Sequence, residues 1–132
     1  MYDDPVAMRA SAFEALGAGD VRAAFSHISG VLATGTYTLD DLYLAGEWAL
    51  DSGLYRDAIN LLTRAISAST SEGECWYIES AYIARAYARV QIGEYDLAQN
   101  DLAQIDDNVE LSWLRNHPAV SKRSLLICIK SE

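Results

Sequence analysis

Basic residues are scarce in this chain of 132 residues: 10 Lys and Arg stand against 19 Asp and Glu, for a formal net charge of −9. That shortage argues against a nucleic-acid binder, whose phosphate contacts need stripes of Lys and Arg, and against attachment to anionic membrane surfaces. The acid excess fits either a basic partner or plain solubility. Cysteine is nearly absent too, with Cys75 and Cys128 alone. No apolar run approaches the length of a membrane span, and Met1-Tyr-Asp-Asp-Pro5 has acid where a signal peptide carries its apolar stretch. The expected location is the cytoplasm, with both thiols reduced and each used as a small core residue. Histidine is limited to His27 and His117, and no pairing of these with the cysteines has zinc-finger spacing. Phosphate loops, Gly-x-Ser-x-Gly and dinucleotide fingerprints are missing. The acid pairs Asp3-Asp4, Asp40-Asp41 and Asp106-Asp107 fall at helix starts or loops, where capping accounts for them. No catalytic, metal or cofactor set is expected, and the chain reads as a non-enzyme.

What is present is a repeated frame. Gly19-Asp-Val-Arg-Ala-Ala24 leads to Ile28 and Val31. Gly53-Leu-Tyr-Arg-Asp-Ala58 leads to Leu62 and Ala65. Gly93-Glu-Tyr-Asp-Leu-Ala98 leads to Leu102 and Ile105. The copies start 34 and then 40 residues apart. A period in this range marks helix pairs that hide their apolar faces by stacking, since one pair cannot do so alone. The apolar content of 51% is enough for a core, and the length is that of one domain.

Start signals divide the chain. Asp4-Pro5 caps a first helix with Met8, Ala12, Ala15 and Leu16 on one face, and a second runs from about Val21 to Leu32. Thr38-Leu-Asp-Asp41 has capping-box form and opens a helix to about Ser52, followed by a partner from Leu54 to Ala68. Ser71-Glu-Gly-Glu74 reads as another capping box, opening a long helix through Trp76, Ile83, Tyr87 and Val90; Glu94 to Ile105 closes the third pair. Beyond it, Asn108 is expected to cap a short helix with Leu111, Trp113 and Leu114. His117-Pro118 is expected to start a last amphipathic helix, although Leu125 to Ile129 is also compatible with a strand. The basic residues Arg115, Lys122, Arg123 and Lys130 in this tail either fold back on the acidic third repeat or form a solvated face.

The small-x-x-x-large-x-x-small pattern of the second helices, repeated three times, resembles the tetratricopeptide repeat family. The resemblance covers Pro5 to Ile105. It implies an all-α fold, a right-handed superhelix of about three helix–turn–helix repeats (5–34, 39–68 and 72–105) with C-terminal capping helices over 108–130, all in one domain spanning 1–132. First helices match in size order at Met8/Ala12/Ala15 and Leu42/Gly46/Ala49. The third copy departs: Tyr82, Ala86 and Arg89 put an arginine where a core residue belongs. In the family the first helices line a concave groove for a partner segment. Carried over, that face comprises Arg9, Phe13 and Leu16, then Tyr43, Glu47, Leu50 and Asp51, then Ile83, Tyr87 and Val90. The partner-binding set is Arg9, Phe13, Tyr43, Glu47, Asp51 and Tyr87. Core packing is the competing reading for Phe13 and Tyr87, and solvated surface for Glu47 and Asp51. Trp48 is assigned to the core between repeats.

The leading expectation is a non-enzymatic module that binds a protein or peptide, with no nucleic acid, membrane or cofactor. A bacterial immunity protein and a secretion-type chaperone are two roles that suit its size and charge. A self-associating assembly protein, a homodimer for instance, is the alternative.

Overall fold

Three glycines with left-handed backbone set the plan. Gly19, Gly53 and Gly93 have φ of 85°, 80° and 82°, a region that other residues adopt at a cost. At each, the residue after the glycine donates its amide to the carbonyl five positions back: Asp20 to Ala15, Leu54 to Ala49, Glu94 to Arg89. This is the Schellman closure of a helix, made three times at the same place in the repeated frame. Such tight connections leave consecutive helices side by side and antiparallel.

The computed structural model describes residues 4–72, 77–112 and 114–131, with the side chains of 70–72 left out. Among these residues it holds seven helices and one short ribbon: α1 (Pro5–Gly17), α2 (Val21–Ala33), α3 (Leu39–Asp51), α4 (Tyr55–Glu72), α5 (Ile78–Gln91), α6 (Tyr95–Leu102), β1 (Glu110–Leu111), β2 (Val120–Ser121) and α7 (Lys122–Lys130). The chain is all-α in class. The pairs α1/α2, α3/α4 and α5/α6 pack within themselves, and α2 meets α3 as α4 meets α5.

The repeated frame is the buried frame. Ala24, Ile28 and Val31, then Ala58, Leu62 and Ala65, then Ala98, Leu102 and Ile105 are all buried. On α3, Gly46 lies so near α4 that a Cβ there would sit 2.7 Å from Leu62 Cγ. Helix α3 is central, buried everywhere except at Leu39, Asp40 and Leu44. It faces one core shared with α4 to α7 and a second, holding Ala12, Ile28 and Trp48, shared with α1 and α2.

Helix starts follow the expected caps at Asp4, which accepts from Val6 N, and at Thr38, whose reciprocal box with Asp41 is complete. Other expectations are corrected. Ser71 lies within α4 rather than at a helix start, and α5 begins only at Ile78. Residues 73–76, with Cys75 and Trp76, lie outside the description, as does Trp113. Asn108 caps no helix; instead Glu110 and Leu111 pair with Ser121 and Val120 in an antiparallel ribbon, so a small strand element replaces the expected capping helix. The last helix starts at Ser121, through a capping box with Ser124, and not at Pro118. Its buried stripe is Leu125 and Ile129, four residues apart, which turns Cys128 outward; that thiol is exposed, not a core residue. The tail does fold back on the third pair: Lys122 Nζ is 2.8 Å from the Ile105 carbonyl and 3.0 Å from Asp107 Oδ1.

The arginine of the third pair is held by charge. Asp101 of α6, buried, accepts from Arg85 Nη2 at 2.6 Å and from Arg89 Nη1 at 2.8 Å. Arg85 also donates to Thr63 Oγ1 of α4 at 3.0 Å. An arginine enters this core position because a carboxylate waits opposite it.

Candidate partner-binding face

Helix α3 carries three buried acids, and each is occupied differently. Asp41, in its first turn, takes a two-pronged contact from Arg9 of α1, Nε to Oδ1 at 2.8 Å and Nη2 to Oδ2 at 2.6 Å, while accepting the Thr38 amide at 2.9 Å. Burial pushes this carboxyl up, but Arg9 and Thr38 together outweigh it and hold the carboxyl below its ordinary range. The same bond raises the Arg9 guanidinium. Glu47, one turn before the end of the helix, accepts from the Tyr43 hydroxyl. The Tyr43 ring stacks on Tyr77 with centroids 4.8 Å apart.

Asp51 is the last residue of α3, where the helix dipole disfavours an anion. Its carboxylate is met by a segment more than sixty residues away: Arg115 N at 2.8 Å, Asn116 N at 2.7 Å and His117 Nδ1 at 3.2 Å. Asn116 Nδ2 donates to the Asp51 carbonyl at 3.1 Å. The far nitrogen of His117 lies 3.2 Å from the Tyr55 hydroxyl, and Tyr87 meets the imidazole edge to face at 5.6 Å. Both imidazole nitrogens are engaged, so the ring fastens the segment instead of offering an open base. Burial, with the neighbouring Tyr55, Cys128 and Asp51, raises the Tyr87 phenol.

A cavity of about 430 Å³ opens between α1, α3 and this segment. Leu16, Leu44, Trp48 and Leu114 give it apolar walls; Tyr43, Glu47, Asp51 and Arg115 give it polar ones. Thus Tyr43, Glu47 and Asp51 line one cavity. Phe13, 47% exposed, joins at one remove by meeting Trp48 edge-on at 5.6 Å. Tyr87 is buried and meets the segment through His117. Arg9 stands apart: its guanidinium is committed to stitching α1 onto the start of α3. Glu47 and Asp51 are buried, so the solvated reading of them fails. Leu50 and Ile83 are core, and Val90 is half-buried.

Sequence reasoning missed Asn116 and His117, which meet Asp51 across the whole fold with no local spacing to announce them. It also missed Asp101, for which the pair Arg85/Arg89 on one helix face was the available signal. Among the described residues no three His, Cys, Asp or Glu side chains converge as a metal site requires. No described helix is long and apolar enough to cross a membrane. Compared with known proteins, the chain matches no family model, no curated sequence and no solved structure at a significant level.

Proposed function

We propose that this chain is a non-catalytic protein–protein interaction module, a tetratricopeptide-like array that holds an extended protein or peptide segment on the face of its first helices α1, α3 and α5. The observation that carries the reading is the cavity on α3, where aromatic and aliphatic walls surround two acids. Aromatic anchors in a desolvated pocket are what a binding hot spot uses, and the acids suit a basic partner. The three identical glycine turns support the array.

The experiment is capture of the partner from the native host, followed by affinity measurements with Leu16→Lys and Leu44→Lys. Both residues line the cavity and are only half-buried. Each variant is expected to stay folded at a somewhat lower Tm, since both side chains edge the cores, and to lose at least about 2 kcal/mol of binding, the size of a hot spot. Binding is expected to weaken with added salt. Wild-type affinity in both variants moves the partner elsewhere. A toxin gene beside this one selects the immunity role, and secretion genes select the chaperone role.

Self-association is the second reading. Val6, 70% exposed on α1, and Ile127, 59% exposed on α7, put apolar surface on the first and last helices. Sedimentation across a hundredfold concentration range separates the two readings.

A further inference from the structure

The segment 114–117 lies across the face assigned above to the partner, and what it offers there is mostly backbone. Two successive main-chain amides, of Arg115 and Asn116, satisfy the two oxygens of Asp51. The side chains of Arg115 and Asn116 are exposed, and Leu114 is only half-buried against the cavity. Leu114 and the largely buried His117 ring supply the segment's apolar contacts, and its hold on Asp51 is polar. On the receiving side the demand is strong. Asp51 is 4% exposed with the segment in place and ends a helix, so removing the segment takes two N–H donors from the carboxylate and returns it to water at the unfavourable helix terminus. An occupant that excludes water there matches the resident segment by supplying two aligned N–H donors or a cation.

We infer that segment 114–117 is a built-in occupant of the partner site, and that the partner is an extended peptide that displaces it by presenting its own consecutive amides to Asp51 and an apolar side chain to the cavity beside Trp48. The inference rests on the proposed partner-binding reading of this face. Main-chain donors carry no side-chain identity, so a second peptide can reproduce them. What is particular to the resident segment is the Asn116 amide on the Asp51 carbonyl and the His117 ring between Tyr55 and Tyr87. These two side chains latch the segment without being part of the receiving surface.

The test uses the full chain and a labelled peptide with the sequence of residues 112–119, Ser-Trp-Leu-Arg-Asn-His-Pro-Ala, followed by fluorescence anisotropy. The double variant Asn116→Ala, His117→Ala loosens the latch and is expected to bind the peptide at least about tenfold more tightly than the wild type. Adding Asp51→Asn to it is expected to lower that affinity by at least about tenfold. Equal affinity in wild type and double variant, or no effect of Asp51→Asn, overturns the inference. Amide hydrogen exchange on the wild type gives an independent answer. The Arg115 and Asn116 amides are expected to exchange by a local opening, ahead of those of α3; exchange only together with α3 means a permanent contact and also overturns the latch. Captured partner that still needs Leu16 and Leu44, beside a failed peptide titration, removes the latch alone and leaves the binding face standing.

Discussion

Gly46 decides how near α3 and α4 come to each other. An added methyl there meets Leu62 Cγ at 2.7 Å and Cδ2 at 2.8 Å, and the Leu62 amide nitrogen at 3.4 Å. Alanine favours a helix over glycine by about 1 kcal/mol, yet overpacking a core costs about 1–3 kcal/mol. Gly46→Ala is therefore expected to lower Tm, and a variant that melts higher than the wild type would mean the crossing has slack. Asp101 is the second decisive residue. Removing its charge strands the Arg85 and Arg89 guanidiniums, each side chain under 15% exposed, without their shared anion. Asp101→Ala is expected to cost about 3–5 kcal/mol in urea unfolding, whereas replacing all three members together by apolar residues of similar volume is expected to be close to neutral. Both effects reside in single side chains, but they differ in legibility: a small residue in the Leu42/Gly46/Ala49 series signals a close crossing, whereas for Asp101 the signal lies on another helix, in the Arg85/Arg89 pair.

At the scale of the element, α3 shows how a helix start is tied to the helix before it. Asp41 serves the Thr38 capping box and the Arg9 ion pair with the same carboxylate. Its folded pKa lies below the unfolded value, so the stability it contributes is fully present above about pH 4 and is lost as pH falls through the folded pKa. Asp41→Asn is accordingly expected to lower the urea midpoint at pH 7, with the gap to wild type narrowing as the medium is acidified below about pH 4. A gap that stays constant with pH would mean that the charge of Asp41 contributes nothing, either to the Arg9 pair or to the cap. Elements with local causes were legible from sequence: Asp4 and Thr38 start helices, and the repeated alanines mark inner faces. Elements with distant causes were not. Glu110 and Leu111 form a strand only because Val120 and Ser121 lie alongside, and two residues are too few to show alternation. Asp51 lines the α3 cavity, but nothing within α3 says that Arg115, Asn116 and His117 arrive there.

The whole molecule is held unevenly along its length. Helix α1 packs mainly on α2, and Ala12 is its one buried residue. Helices α3, α4 and α5 share the larger core. Native-state hydrogen exchange is expected to show α1 amides opening at a free energy well below that of α3, which should exchange only through global unfolding; uniform protection across both helices would make the chain one cooperative block. The polar cluster in the third pair bears on how such a chain can be rearranged. Arg85 reaches back to the neutral Thr63 hydroxyl of α4 and across to Asp101 of α6 in its own pair, so the ion pairs close within one unit and a hydroxyl joins it to the unit before. A unit moved to another place would carry its ion pairs with it and would give up the Thr63 bond. As far as charge goes, the third unit is therefore portable.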